Sequence, residues 1–313
     1  MHSSENRDIV VAALRHAAPY IRMFKHKTFV LKAGGEIFSS PESTHQLIEQ
    51  IAILHQVGIR VVLVHGGGPQ STQLATRLGL ETQFVAGRRV TDAPSLEVAT
   101  MVLNGQINTN ILATCREIDL PAVGISGVDA GLIHANKRPP VDIDGAGGSP
   151  VDYGFVGDIE SVDANVLRTQ LENDLVPVVS PLSADADGTL LNINADTVAA
   201  ALAAALNAEK LILITGAPGI LEDRLDAGSL ISYIDLAGLQ SLREAGALAD
   251  GMLPKAAAIE AALKGGVHRV HVISNKLSDS LLLEVFTNEG TGTLVVQNID
   301  TLSAAEQATG ETT

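Results

Sequence analysis

The chain has 313 residues, a formal net charge of −15, 46% hydrophobic residues and only 3% aromatics. That length suggests about two domains, and the acidic balance excludes a broad nucleic-acid face or an anionic-membrane surface. A core of Val, Ile, Leu and Ala with no Trp suits parallel strands covered by helices.

In chain order, Ile9, Val10, Ala13, Leu14, Ala17 and Ile21 recur at helical spacing. Residues 8–24 therefore read as an amphipathic helix ahead of the core, packed on its own body or reserved for an oligomer contact. The start, Met-His-Ser-Ser-Glu, lacks the long apolar core of a signal peptide, which points to a cytoplasmic enzyme. A short strand at 28–31 runs into Lys32-Ala33-Gly34-Gly35. A helix at 43–56, a strand at 59–64 and a helix at 68–78 follow. A longer helix spans 94–116 and carries Cys115. This lone cysteine excludes an internal disulfide and a Cys-rich zinc site, and it reads as a small buried residue.

A strand at 121–125 precedes an extended region near 131–160, with a loop at Gly145–Pro150. A strand at 176–180, a turn at Asp185–Gly188, a helix at 195–207 and a strand at 210–215 come next. The alanine-rich run at 198–206 is too short to cross a bilayer. Helices near 235–245 and 254–265, a strand at 268–273, a helix at 277–287 and a strand at 293–296 complete the pattern. From about Asn298 the chain is a polar tail. Strands alternating with helices predict a three-layer α/β/α sandwich with a mainly parallel central sheet.

The most informative stretch is Val61-Val62-Leu63-Val64-His65-Gly66-Gly67-Gly68-Pro69-Gln70. An apolar strand stops at three glycines and a helix begins. Glycines admit a close ligand, and a helix start offers free N–H groups and positive potential to an anion. No Gly-Lys-Ser/Thr follows, so this is not a Walker A loop. Ser71 stands where the dinucleotide fingerprint needs its third glycine. A tight turn that binds nothing stays open.

Ligands gather beyond the carboxyl ends of such strands, and four strand ends carry unusual residues. They are Lys32 with Gly34 and Gly35, Gly66–Gly68, Asn192–Asp196, and Thr215–Gly219. Lys32 can share the anion site or merely snorkel at the surface. Pro254 suits a first helical turn, which brings the Lys255 charge near the same place. Together the lysines and glycine turns fit phosphoryl transfer, which needs positioning and charge neutralisation. Arg89, in Gly87-Arg88-Arg89-Val90-Thr91-Asp92, can grip a carboxylate bidentately. In Asn192-Ile193-Asn194-Ala195-Asp196-Thr197, helix capping explains one residue, and the others can orient a polar substrate and a lysine. The nine histidines show no metal-binding spacing, and no metal cage is assigned. A carboxylate nucleophile, already ionised at a reference pKa of about 4.3, needs no general base.

These segments, with Met101–Gly105, Val151–Gly157, Ala208–Leu211, Gly251-Met252-Leu253-Pro254-Lys255 and Leu281–Thr287, resemble the amino-acid kinase family from about residue 25 to 297. Within it the likeness is to members acting on N-acetyl-L-glutamate, of the arginine-sensitive type with an N-terminal helix. The resemblance implies that ATP with Mg²⁺ phosphorylates the side-chain carboxylate of N-acetyl-L-glutamate in arginine biosynthesis. It implies catalytic roles for Lys32, Lys255 and Asp196, the last positioning both lysines. Gly67 and Gly68 would donate to the transferring phosphoryl and the attacking carboxylate. Arg89 would hold the α-carboxylate, with Asn192 and Asn194 completing the substrate site. ATP would lie on Gly34, Gly35, Thr215, Gly216, Gly219, Ile220, Leu221, Gly251 and Met252. An arginine effector would meet Tyr20, His268, Glu284 and Gly290.

By the same resemblance residues 1–24 form an oligomerisation helix, 25–207 an acyl-amino-acid lobe, 208–300 an ATP lobe and 301–313 a polar tail. A homo-oligomer is implied, either a dimer or a hexamer built as a trimer of dimers, without nucleic-acid or membrane partners. Ser126–Gly131 is similar to kinases of carrier-protein-linked aminoadipate. That substrate, its glutamate counterpart and N-succinylglutamate are the alternatives. An inactive arginine or nucleotide sensor is the reading from another class.

Overall fold

The main sheet has eight strands: β1 (Thr28–Ala33), β2 (Arg60–His65), β3 (Ala122–Ser126), β4 (Val176–Ser180), β5 (Lys210–Thr215), β6 (Tyr233–Asp235), β7 (Arg269–Ser274) and β8 (Thr293–Val296). The computed structural model describes residues 2–142, 150–223, 225–226, 228–248, 251–287 and 290–301. The loop expected at Gly145–Pro150, save Pro150, and the tail from 302 lie outside them. Across the sheet the order is β6-β8-β7-β5-β1-β2-β4-β3. Every neighbouring pair is parallel except β7 with β8.

Continuous apolar runs make these strands, because both faces are covered. Val30, Val62, Val64, Leu211 and Leu213 enter one buried cluster; Phe29, Leu31, Val61, Leu63, Ile212 and Ile214 enter the other. That alternation is the two-residue period of a strand with a helical layer on each side. The α/β/α expectation holds. In the central register Lys32 lies beside Val64 and Leu213, and Ala33 beside His65. The strand ends at Lys32, His65 and Thr215 therefore fall along one edge.

Helix Ala195–Ala205 and helix Met252–Lys264 pack on one face. Both helices contribute small residues to the same cluster, Ala199, Ala200 and Ala203 from the first and Ala256, Ala258 and Ala262 from the second, all buried. Small side chains let the two helices approach closely, and the first turns of both meet at the sheet edge.

Several elements differ from expectation. The extended region near 131–160 resolves into an antiparallel pair, Ile133–Lys137 and Gly157–Val162. With Leu182–Ala184 and Leu190–Asn192 it forms a separate four-stranded sheet. Helix Asn165–Glu172 was not expected: Leu167 and Leu171 are its only buried residues, with Val166 packed beside them, too little for a period to register. The predicted 94–116 helix runs from Ala93 to Glu117, but Met101–Asn108 has π geometry. Helix Ser280–Phe286 starts three residues late because Asp279 adopts a left-handed conformation at φ 56°.

Candidate active site

Three charged side chains meet at the sheet edge. Lys32 is the penultimate residue of β1, Asp196 lies in the first turn of helix Ala195–Ala205, and Lys255 in the first turn of helix Met252–Lys264. Lys32 Nζ lies 3.1 Å from Asp196 Oδ1. Lys255 Nζ donates to Oδ1 and Oδ2 at 3.0 and 3.1 Å. All three residues are buried. Burial pushes the Asp196 carboxyl up, but two ammonium groups outweigh it and hold it below the usual carboxylate range. Burial, then the charge of Lys32, lowers Lys255, opposed by Asp196 and Glu36. The triad holds two positive charges on one carboxylate and leaves a net positive charge for an anion.

Two glycine turns face it. Gly66 N–H donates to Ala33 O at 2.8 Å, and Gln70 Nε2 donates to Gly35 O at 2.5 Å, so the turns after β1 and β2 are stitched together. Gly67 caps helix Gly68–Arg77, whose first amides have no intrahelical acceptor. A Cβ on Gly67 would lie 2.6 Å from Leu103 Cδ2 and 2.7 Å from Ile107 Cδ1, whereas one on Gly68 would meet nothing within 4 Å.

Arg89 sits at the end of the short hairpin Phe84–Val85/Arg88–Arg89. Its Nη2 donates to Gly68 O at 3.2 Å and Thr72 Oγ1 at 2.6 Å, and the guanidinium lies 4.9 Å from the Phe84 ring centre. Arg88 points out to solvent while Arg89 is half-buried. Asn194 caps its helix, accepting from the N–H groups of Asp196 and Thr197 at 2.8 and 3.2 Å. Asn192 Nδ2 instead donates to Thr91 Oγ1 at 3.4 Å. Thr91 is fully buried and hydrogen-bonded on both sides to the 153–155 segment, which also receives the Asn192 N–H. Thr91 and Tyr153 act as supports through their backbone bonds, a role that their residue types do not signal in the sequence.

A cavity of about 300 Å³ joins these groups. Its walls include Lys32, Gly34, Gly35, Glu36, Gly66–Gly68, Arg89, Asn192, Asn194 and Asp196. Lys255 reaches it through Asp196. Among the described residues, Thr215, Gly216, Gly219, Ile220, Leu221, Gly251 and Met252 do not line this cavity. Thr215 ends β5, and the segment after it packs on β8, where Ile220 N–H donates to Thr293 Oγ1 at 2.8 Å. Gly251 and Met252 open the helix that carries Lys255. Gly34 and Gly35 stand in the wall shared with the substrate-type residues, and Gly34 directly follows Ala33, which pairs with Ile214 next to Thr215. Ser126–Gly131 closes on itself, since Ser126 N–H and Oγ both donate to Asp129 at 2.6 Å.

At the other end of the sheet, Glu284 is buried and accepts from His271 Nδ1, Thr291 N–H and Thr291 Oγ1. A Cβ on Gly290 would lie 3.5 Å from its carboxylate. Tyr20 packs against the same half of the core, and His268 is exposed. Cys115 is buried and its thiol is pushed up to about 12 by burial, which leaves it unreactive. Among the described residues no group of three or more His, Cys, Asp or Glu could hold a metal ion, and no helix is long and apolar enough to cross a membrane.

Fold and site define a class: an α/β protein that gathers cationic side chains and glycine turns around a cavity beyond its central strands. The family model described as amino acid kinase family matches residues 27–274, and the chain belongs to that family. It is 52% identical over 289 residues to the acetylglutamate kinase of Myxococcus xanthus, covering 91% of this chain and 94% of that one. The acetylglutamate kinase of Archaeoglobus fulgidus is 43% identical over 291 residues, covering 93% and 99%. Among solved structures, N-acetylglutamate synthase of Neisseria gonorrhoeae with coenzyme A and N-acetyl-glutamate superposes with TM-score 0.80 at 33% identity. That match covers 92% of this chain but 63% of the synthase chain. Carbamate kinase of Giardia lamblia bound to AMP-PNP, at 16% identity and TM-score 0.62 over 87% of this chain and 99% of that one, shares the fold.

Proposed function

We propose that the chain transfers the γ-phosphoryl group of ATP to the side-chain carboxylate of N-acetyl-L-glutamate, giving N-acetylglutamyl 5-phosphate for arginine biosynthesis. The observation that carries this reading is the meeting of Lys32 and Lys255 on Asp196 in a cavity walled by a glycine turn and Arg89. The 52% identity to an acetylglutamate kinase over nearly the whole chain selects the acyl-amino acid.

The mechanism follows from charge. Arg89 holds the α-carboxylate, and Asn192, braced by Thr91, meets the α-substituents. The γ-carboxylate is ionised at neutral pH and attacks phosphorus without a base. A new O–P bond forms, the bridging P–O bond breaks, and ADP leaves with that electron pair. Lys32 and Lys255 neutralise the oxygens of the group in transit, and the Gly67 and Gly68 amides donate to them. Asp196 keeps both ammonium groups aimed at that point. Mg²⁺ arriving with the nucleotide would shield its β- and γ-phosphates while keeping most of its waters. The walls fit that role: they offer cations and amides for the anions, with Glu36 as the exposed carboxylate to face the ion.

The same reading places ATP on the Thr215–Leu221 side and at Gly251–Met252, residues 25–207 as the acyl-amino-acid lobe, and 208–300 as the ATP lobe. The protein works in the cytoplasm, where its phosphoryl donor is abundant. Helix His2–Phe24 supports a homo-oligomer, a dimer or a trimer of dimers, because Ile9, Val10, Val11 and Leu14 are all about half exposed or more. Arginine as feedback inhibitor, near Tyr20, His268, Glu284 and Gly290, is favoured by a 31% identical synthase structure that contains L-arginine. Carrier-linked aminoadipate or glutamate, and N-succinylglutamate, are the competing substrates. Turnover of ATP with each, trapped as hydroxamate with and without arginine, tests the reading. Preference for the acetyl compound and inhibition by arginine are expected; equal or greater turnover of another acceptor would reject the substrate.

A further inference from the structure

His65 ends β2 directly before the glycine turn and is completely buried. Its Nδ1 lies 3.1 Å from Gly66 O, and its Nε2 lies 3.2 Å from Asn108 Nδ2. Asn108 Nδ2 also donates to Val178 O at 2.9 Å. An amide nitrogen only donates, so His65 Nε2 must accept and can carry no proton. The single ring proton then belongs on Nδ1, where it is donated to Gly66 O. Burial agrees: it lowers the imidazole pKa to about 4, against the pull of the Gly66 carbonyl, so the ring is neutral at physiological pH.

Asn108 is the last residue of the π segment Met101–Asn108. Its carboxamide fits only because position 124 of β3 is glycine; a Cβ there would lie 2.1 Å from Asn108 Oδ1. Leu103 and Ile107 of the same segment press on Gly67. Single π turns inside α-helices re-aim side chains and recur at functional sites. Here the π segment touches the glycine turn directly through Gly67 and indirectly through His65.

We propose that Asn108 and His65 are positioning residues that lock one imidazole tautomer in order to fix the Gly66–Gly67 peptide, and with it the anion-binding amide of Gly67. In a trans peptide the N–H of Gly67 points opposite to the carbonyl of Gly66. Gly66 N–H is already tied to Ala33 O at 2.8 Å. That bond fixes the preceding His65–Gly66 peptide, and holding the Gly66 carbonyl fixes the Gly66–Gly67 peptide itself. A donor preorganised toward developing charge is worth most in the transition state, so the lock should act on kcat. This inference rests on the proposed phosphoryl transfer at the glycine turn.

Two measurements test it. Nitrogen-15 NMR of the histidine-labelled protein reads the tautomer without any turnover: a protonated Nδ1 and bare Nε2 are expected for His65, and a protonated Nε2 overturns the lock. His65→Asn and His65→Gln then separate hydrogen bonding from packing. The asparagine nitrogen takes the place of Nδ1 and keeps the donor to Gly66 O, although it fills less space. The glutamine nitrogen takes the place of Nε2 and fills more space. His65→Asn should keep kcat within about threefold of wild type, while His65→Gln and Asn108→Leu lose roughly tenfold or more, with KM values little changed. Equal or smaller loss in His65→Gln, or near-normal kcat in Asn108→Leu, overturns the proposal. If no acceptor is phosphorylated even by wild type, the functional reading fails, and the tautomer measurement alone decides whether the lock exists.

Discussion

Lys255 holds Asp196 by both carboxylate oxygens, at 3.0 and 3.1 Å, across 59 residues of chain. Lys32 shares one of those oxygens from the sheet side. The carboxylate thus keeps two like charges close together in a buried place. Asp196→Asn should cost on the order of 3–5 kcal/mol of stability, the usual result of removing one member of a buried charge cluster. It should also cost about 10² in kcat. Denaturant unfolding and turnover on the same preparation check both, and near-wild-type stability would contradict a load shared through Asp196.

The alkaline limb of kcat should report Lys255. Burial and Lys32 already lower its pKa, while Asp196 and Glu36 oppose that shift. The working ammonium is lost as pH rises through a value below that of an ordinary lysine. Glu36→Gln removes one opposing charge, so at saturating Mg²⁺ its alkaline limb should move to lower pH. A limb that stays in place would show that Lys255 does not govern it.

Gly67 and Gly68 should respond differently to alanine. At Gly67 the new Cβ meets Leu103 and Ile107 well inside contact distance, whereas at Gly68 it meets open space. Gly67→Ala should lower the melting temperature and the activity together. Gly68→Ala should melt within a degree or two of wild type and still lose turnover, because that open space belongs to the ligand. A Gly68→Ala protein with normal turnover would remove that residue from the anion site.

Glu284 ties β7 to the segment before β8. Burial pushes its carboxyl up, but the His271 hydrogen bond and charge, the Thr291 N–H and Lys210 outweigh it and lower it from 4.5 to about 2. A carboxylate with a depressed pKa stabilises the fold above its unfolded pKa, and that contribution is lost as pH falls through the folded value. Wild type should therefore exceed Glu284→Gln in stability at neutral pH, and the gap should close between about pH 4.5 and 2. Parallel unfolding curves over that window would contradict the assignment.

The glycine turns, Lys32, Arg89 and the Asn192–Thr197 stretch were legible because each breaks a local pattern. A lysine ends an apolar strand, or glycines stand where a helix begins, and parallel topology brings such breaks to one edge. Asn108, Thr91 and Tyr153 were not legible as supports. Asn108 reads as part of an ordinary helical run, and it reaches His65 from the last position of a segment with π geometry. Thr91 works through backbone bonds to a segment more than 60 residues away, a relation no spacing in the sequence records. Helix Asn165–Glu172 was hidden for a simpler reason, since two leucines one turn apart carry too little periodicity.

The central claim is that Lys32 and Lys255 act on the phosphoryl group in transit. It is tested most directly by steady-state kinetics of Lys32→Met and Lys255→Met with ATP and N-acetyl-L-glutamate, reading the acyl phosphate as hydroxamate. Each substitution should lower kcat by about 10² or more while the KM values change by no more than a few-fold. A kcat near wild type in both variants would contradict the account.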